Sequence, residues 1–226
     1  MNPVLLGAQR EVRVLFRARP VIGAGALVGL FIGATPVFTA LVTGQDLSRL
    51  FIQGPVLGVF LGYLFSQQAF LREKQDGTIE TVLSSPLTLR AIWAGKVLGA
   101  GGTAAAVALL CTGGPLLAAV LAVPVAIPVT PMLVVHLVAV VPLATAVAVG
   151  LLGLVQLLLG LRENQVLNLA LVIGLVLLLS VAQTVSGGTP TPDAGAATIL
   201  VLAAALALLA RLVGRVDRER IVRTIA

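Results

Sequence analysis

Six apolar runs, each long enough to cross a bilayer as a helix, follow one another along this chain of 226 residues. A membrane-spanning helix needs about 20 predominantly apolar residues. The runs cover residues 21–41, 50–70, 96–123, 132–161, 166–185 and 196–213. Their apolar residues are continuous and do not alternate with period two, which excludes a transmembrane β-barrel. The sequence therefore predicts an all-α integral membrane protein in which residues 1–226 form one six-span transmembrane domain.

Composition agrees with this pattern. Hydrophobic residues make up 58% of the chain and charged residues 11%, and the mean hydropathy is +1.09. A water-soluble globular domain of this composition would have too few polar residues to cover its surface. The soluble protein classes are therefore excluded.

The segments between the runs have the composition of turns. Pro124, Pro128 and Pro131 separate the third run from the fourth, and prolines at this spacing do not fit inside one helix. Residues 43–49 and 186–194 are rich in Gly, Pro, Thr and Asp, as loops are. We expect a tight turn at the prolines and short loops at the other two segments.

Basic residues predict the orientation of the spans. With six spans, every Lys and Arg except Arg49 falls on one side, the side of both termini. Basic residues that flank spans are retained in the cytoplasm. We expect a multi-pass protein of the inner (cytoplasmic) membrane with both termini cytoplasmic. The net charge of +6 and pI near 11.0 then reflect topology and contact with membrane lipid, and indicate no nucleic-acid partner.

Residues 1–20 form a candidate helix on the membrane surface. Arg10, Arg13 and Arg17 share one face of a helical wheel, and the opposite face is apolar. That apolar face contains Val4, Leu5, Ala8, Val12, Leu15 and Phe16. Segregation of this kind predicts an interfacial amphipathic helix before the first span. The segment lacks the small-residue cleavage site of a signal peptide.

Residues 71–95 are the longest charged segment of the chain. Asp76 and Gly77 suit the start of a short helix, in which Ile79, Val82 and Leu83 share one face and Glu80 lies on another. Ser85 before Pro86 breaks this helix, and the same pair predicts the start of a second helix that runs through Lys96 into span three. We expect a short amphipathic cytoplasmic helix held between spans two and three.

A few polar residues fall inside the spans. Buried amides in a membrane must find partners or face a cavity, so Gln53, Gln67, Gln156 and Gln183 are candidates for lining a conduit. His136 joins them, because an ionisable group inside a membrane is a functional hypothesis by default. No second ligand lies near it in sequence, and the sequence predicts no metal site.

The glycines of the first two spans recur every four residues. They are Gly25, Gly29 and Gly33 in span one, and Gly54, Gly58 and Gly62 in span two. This spacing lets helix backbones approach closely. It predicts tight contact between spans, and is weaker evidence for an interface between two copies.

Catalytic and nucleotide-binding motifs are missing from the sequence. It contains no phosphate-binding loop of the form Gly-x-x-x-x-Gly-Lys-Ser/Thr, and no nucleophilic serine with a histidine partner stands out. The predicted loops are also too short to form a catalytic domain. We expect a protein that is not an enzyme and that binds no cofactor of its own.

The charged segment resembles the coupling segment of ABC transporter type-2 export permeases. The residues that carry the resemblance are Arg72-Glu73-Lys74, Gly77-Thr78-Ile79-Glu80, Ser85-Pro86, Arg90 and Gly95-Lys96. It extends to Arg10-Glu11-Val12-Arg13 and Phe16-Arg17 before span one, the six spans, Arg162-Glu163-Asn164 between spans four and five, and the basic tail 214–226. The resemblance thus covers essentially the whole chain.

The resemblance implies a permease subunit that works with a separate cytoplasmic ABC ATPase. Two permease copies, or one copy and a paralogue, would pair with two ATPase subunits, which bind ATP and Mg. The short helix would dock in a groove of the ATPase. Its docking residues would be Gly77, Thr78, Ile79, Glu80, Val82, Leu83 and Pro86, with apolar contact from Ile79, Val82 and Leu83 and an ion pair from Glu80.

Three other interpretations stay open. Gln75-Asp76-Gly77 and the compact length resemble the haem-export permease of cytochrome c maturation, a related branch, and the short external segment 186–194 departs from many export permeases. A secondary transporter or channel would need carboxylates or broken helices inside the membrane, and no acidic residue lies well inside a span. A membrane scaffold is the third interpretation.

Overall fold

The structure is a computed structural model, and it describes residues 3–44, 47–122, 129–185, 190–216 and residue 221. The described residues are almost entirely helical and contain no strand. The tight turn predicted at Pro124 and Pro128 lies outside them, as do residues 186–189 of the predicted external loop and most of the basic tail.

The helices follow one another in the order expected for a chain of membrane spans. In chain order they are α1 Pro3–Arg17, α2 Arg19–Thr43, α3 Leu50–Ser66, α4 Arg72–Gln75, α5 Ile79–Leu83, α6 Leu89–Lys96, α7 Gly102–Ala122, α8 Pro131–Val135, α9 Val141–Leu158, α10 Leu161–Val185 and α11 Pro192–Val213. A 3-10 turn, Leu47–Arg49, leads into α3.

Three wide π turns interrupt the long helices without ending them. They are Gln67–Leu71 between α3 and α4, Val97–Gly101 between α6 and α7, and His136–Val140 between α8 and α9. Short π segments occur mostly as bulges inside α-helices and are frequent at functional sites. Two of the three lie where the charged segment joins its spans.

The prediction of six spans is confirmed. Six helices of the described chain are long and apolar enough to cross a membrane, namely Arg19–Thr43, Leu47–Gln75, Leu89–Ala122, Pro131–Leu158, Glu163–Val181 and Pro192–Val213. The second and third are longer than their apolar runs. Their helices continue into the charged segment on both sides, so the segment outside the apolar runs is short and rigidly held.

The structure corrects the predicted helix starts in the charged segment. Gly77 has a φ of +68°, a left-handed conformation that glycine adopts without steric cost, and it turns the chain between α4 and α5. Helix α6 begins after Thr88, whose hydroxyl accepts a hydrogen bond from the Ala91 amide at 3.2 Å. The start predicted at Ser85 and Pro86 is wrong, because Thr88 provides the cap.

The two central spans contain α3 and α9. Over their most apolar windows, the spans Leu47–Gln75 and Pro131–Leu158 have 56% and 61% of their residues buried, against 17% for the fifth span and 11% for the sixth. Spans two and four therefore form the core of the bundle. Spans five and six expose most of their apolar surface.

The glycine repeats are used for contact within the chain. A Cβ at Gly25 would lie 3.2 Å from the Leu61 side chain of α3, and one at Gly62 would lie 3.2 Å from the Val149 side chain of α9. The prediction of tight contact between spans is confirmed for these positions, since small residues let the helix backbones approach.

Candidate coupling site

Helix α5 presents a polar face to solvent. Glu80, Thr81 and Ser84 are exposed, as are Gly77, Thr78 and Pro86 on either side. The Ser84 hydroxyl donates to the Thr81 carbonyl at 2.9 Å, which closes the helix on itself. The exposed face of α5 is therefore polar, with one carboxylate at Glu80.

Ile79 lies on the inner face of the same helix, in contrast to the outward apolar contact predicted for it. It is 3% exposed and belongs to the core of the chain, where it lines one small cavity together with Phe70, Leu89 and Leu157. Val82 is half-buried beside it, and the side chain of Leu83 is outside the described part. Of the predicted apolar face, Ile79 is therefore covered by the chain's own spans.

Lys74 ties the charged segment to span four. Its side chain is 1% exposed, and its ammonium group donates to the carbonyl oxygen of Leu159 at 2.5 Å and to that of Gln156 at 3.4 Å. These carbonyls belong to the C-terminal end of α9, where a cation is favourable because of the helix dipole. Asn164 of α10 donates to the same two carbonyl groups.

A buried ion cluster, formed by Glu11, Glu73 and Lys96, lies at the base of the segment. The Lys96 ammonium group donates to a carboxylate oxygen of Glu11 at 2.9 Å and to the carbonyl oxygen of Ala69 at 2.6 Å. A carboxylate oxygen of Glu73 lies 2.9 Å from the same nitrogen. The cluster joins α1, the end of span two and the start of span three.

Sequence reasoning missed Glu11 and Lys96 as partners. The signal available was Lys96 itself, a charged residue at the edge of an apolar run, where an ionisable group usually has a function or a partner. The partner was not visible, because 85 positions separate Lys96 from Glu11. Glu11 also lies in a helix whose other charged side chains are arginines.

Helix α1 packs its inner face on span three. Glu11 and Leu15 are buried, while Arg10, Arg13, Phe16 and Arg17 are exposed. The predicted apolar face therefore differs from the packed face: Leu15 belongs to it, but Phe16 is 61% exposed. An exposed phenylalanine beside arginines suits a membrane surface, and the interfacial position of α1 stays a prediction.

Two cavities open on either side of the ion cluster. One of about 310 Å³ lies between α1 and α5, where Gly7, Thr81, Val82 and Ile92 line it. The other, of about 370 Å³, lies between α1 and α4 and is charged. Its charged residues are Arg10, Glu11, Arg17, Arg72, Glu73 and Asp76.

Among the predicted conduit residues whose side chains are described, Gln67 and Gln156 lie in different surroundings. Gln67 lines an open cavity of about 840 Å³, together with Gln68, Gln75 and Gln165. Gln156 is 1% exposed and donates to the Ser66 hydroxyl at 3.2 Å, so it lies in the interface between α9 and α3. Gln53 is half-buried. The side chain of Gln183 is outside the described part.

His136 is a buried residue of the π turn before α9. Its Nε2 atom lies 3.0 Å from the carbonyl oxygen of Phe51, and its ring meets the Phe51 ring edge to face at 5.0 Å. The described residues contain no group of three His, Cys, Asp or Glu side chains that could hold a metal ion. His136 thus links the third π turn to the start of span two.

A comparison with protein families gives a match over most of the chain. Residues 45–215 match the family described as ABC-2 family transporter protein. Comparisons with curated proteins and with solved structures gave no match. The matched range contains five of the spans, the charged segment and the Lys74 contacts. It covers most of the chain, which therefore belongs to the ABC-2 transporter family and is a membrane permease component of an ABC transporter.

Proposed function

We propose that this permease couples ATP hydrolysis in a separate ATPase subunit to export of a substrate from the cytoplasm. The observation that supports coupling most directly is the two-sided α5 helix. Its polar face with Glu80 is open to a partner, while Ile79 is 3% exposed and fixed in the core. A partner that moves α5 would therefore move the spans beneath it.

The ATPase contacts the exposed polar face. Glu80 and Thr81 stand on this face beside the loop that contains Pro86. A carboxylate on an exposed helix suits a basic groove, in which it gains a charge-assisted hydrogen bond. Ile79, which was predicted to contact the ATPase, instead holds α5 on the core of the chain.

Movement of the charged segment is passed to spans two and four by separate contacts. Ile79 packs with Phe70 at the end of span two, and Lys74 bonds to Leu159 at the end of span four. A nucleotide-driven movement of the ATPase changes the state of the spans only if it makes different contacts in the two states. The contacts that hold α5 and α4 on the spans support such a transfer of movement.

A second permease copy and lipid surround the bundle in this proposal. Spans five and six expose apolar side chains such as Leu177, Leu178, Leu200 and Val201. In a bilayer such faces meet lipid or another membrane helix. The resemblance to export permeases supports a pair of permeases with a pair of ATPases, and it also supports export as the direction.

The test is copurification of a phosphate-loop ATPase with the tagged permease, followed by assay of nucleotide hydrolysis. The permease alone is expected to show no hydrolysis, and the complex is expected to show it. Replacing Glu80 and Thr81 together with arginine should reduce the bound ATPase about tenfold or more, since like charges facing each other at an interface cost several kcal/mol.

Asp193→Asn is the matched control, because Asp193 is an exposed carboxylate at the start of α11, in the loop predicted to be external. It should leave ATPase binding unchanged. Full binding by the double arginine variant would contradict the proposed docking face. ATP hydrolysis by permease that is free of other polypeptides would contradict the proposal that a separate ATPase subunit hydrolyses ATP.

A further inference from the structure

The ion cluster surrounds one ammonium group with oxygen atoms from three separate elements. A lysine ammonium has three N–H donors. Around Lys96 stand Glu11 of α1, Ala69 of the first π turn and Glu73 of α4, at 2.9, 2.6 and 2.9 Å. If any one of these elements moved away, a charge or a carbonyl group would lose its partner.

Water has little access to the cluster. The side chains of Lys96 and Glu11 are 6% and 7% exposed, and that of Glu73 is 17% exposed. The ring of Phe70 lies under the ammonium group, 5.4 Å from it. Buried ion pairs are screened much less than surface pairs, and removal of one partner is costly because the remaining charge stays buried. The cluster therefore persists through movements that would break a surface pair.

Backbone packing strengthens the same attachment. A Cβ at Gly99, in the π turn that follows Lys96, would lie 2.6 Å from the Glu11 side chain and 2.8 Å from the Ala8 carbonyl oxygen. A Cβ at Gly95 would lie 3.3 Å from the Cα atom of Gly7. Helix α1 thus lies directly on the backbone of span three, with the ion pair at the point of contact.

We propose that Glu11, Lys96 and Glu73 are positioning residues that make α1, the charged segment and the start of span three move as one body. This proposal rests on the proposed function for the force that moves α5. When nucleotide binding moves α5, α1 then moves along the membrane surface together with span three. Helix α1 is then a moving part of the transport cycle and not a passive anchor.

The charge balance of the cluster makes single variants informative. It holds two carboxylates and one ammonium group, so Glu11→Gln or Glu73→Gln leaves one balanced ion pair. Both variants are expected to insert and to fold. Lys96→Met would instead leave two buried carboxylates facing each other and is expected to lower the yield, so it is not used as the main test.

The experiment measures the distance between spin labels at Arg13→Cys in α1 and Gln75→Cys in α4, in a Cys111→Ala background. Both labelled positions are exposed. The distribution of distances in the purified permease is expected to be narrow. Glu11→Gln and Glu73→Gln should broaden it about twofold or more, because each removes one buried attachment.

Three controls separate attachment from general stability. Asp193→Asn should leave the distribution narrow, and Glu11→Asp, which keeps the carboxylate, should broaden it less than Glu11→Gln. Thermal unfolding of each variant is measured in the same preparation. Distributions as narrow as the wild type in both Glu→Gln variants, even with a lowered melting temperature, would overturn the proposal.

The second arm adds the ATPase with ATP and vanadate. The wild-type distance should stay the same, because both labels move together, and a change larger than the width of the distribution would overturn the proposal. If the ATPase does not bind the wild type, the proposed function fails. The widths measured in the permease alone then still decide whether the cluster joins these elements.

Discussion

The indole nitrogen of Trp93 donates a hydrogen bond to the carbonyl oxygen of Gly150 at 3.1 Å. This bond joins α6, at the start of span three, to the middle of span four. The indole ring lies so close to α9 that a Cβ at Gly150 would be 2.8 Å from one of its carbons. Trp93 is 2% exposed, so its ring is enclosed by the protein.

We expect Gly150→Ala to destabilise the permease by about 1–3 kcal/mol, the usual cost of overpacking a filled core. Thermal unfolding in detergent measures this change. Gly174→Ala is the control, since a Cβ there meets no atom within 4 Å, and it should have almost no effect. Equal stability of the two variants would contradict the packing of Trp93 on Gly150.

Ile79→Asp is expected to impair folding before it impairs coupling. The substitution places a carboxylate among Phe70, Leu89 and Leu157, at a cost of several kcal/mol, on the order of that for other unpaired buried charges. Ile79→Val should cost only about 0.5–1.5 kcal/mol. The yield of folded protein and its unfolding temperature are the measurements. Normal yield and stability of Ile79→Asp would place this side chain at the surface after all.

The sequence was sufficient to predict the spans, because runs of about 20 apolar residues have few alternatives in a membrane protein. It also predicted a short amphipathic helix between spans two and three. It could not show which surface covers Ile79, because a helical pattern gives the apolar face but not its partner. Helix α6 is capped by Thr88 and not by the predicted Ser85. Both residue types can cap a helix, and the two lie within four positions of each other, so the backbone conformation decides which one does.

The candidate site was predicted only in its exposed part. Glu80 and its neighbours follow from the charged segment and the resemblance. The bonds from Lys96 to Glu11 and from Lys74 to Leu159 join residues 85 positions apart in each case. Contacts between residues so far apart in sequence depend on how the spans pack. A local pattern of residues therefore cannot predict them.

The contact between Gly58 and Thr145 supports a test by two substitutions. A Cβ at Gly58 would collide with the Thr145 hydroxyl oxygen, which donates to the Val141 carbonyl within α9. Gly58→Ala alone should destabilise the permease by about 1–3 kcal/mol. Adding Thr145→Ala removes the colliding atom and should restore much of the loss, so the two effects are not additive. Additive unfolding energies would contradict the contact.

Lys74→Met should destabilise the permease by about 1–3 kcal/mol, because the substitution removes the donor to the Leu159 and Gln156 carbonyl groups. Arg72→Met is a control two residues away, since Arg72 forms an ion pair with Asp76 in which both side chains are 57% exposed. Exposed pairs contribute about 0–1 kcal/mol. Denaturant unfolding of both variants gives the comparison, and a larger loss for Arg72→Met would contradict the assignment of Lys74 as the anchor.

Orientation in the membrane can be tested with single cysteines at Ser84 and Asp193, both in a Cys111→Ala background. Both positions are exposed, and three spans separate them along the chain, so they must lie on opposite sides. Basic residues flanking spans tend to stay in the cytoplasm, so the charged segment and Ser84 are predicted to lie there. In intact cells, a membrane-impermeant maleimide should therefore label the cysteine at 193 and leave the cysteine at 84 unlabelled.

After the membrane is opened, both cysteines should react, because neither position is buried. The parent chain with Cys111 alone should give little signal in either case, since Cys111 is buried in span three. Labelling of the cysteine at 84 alone in intact cells would show that the orientation is inverted, and would exclude contact between α5 and a cytoplasmic ATPase. Labelling of both cysteines in intact cells would contradict the six-span path itself, because an odd number of crossings between them would then be impossible.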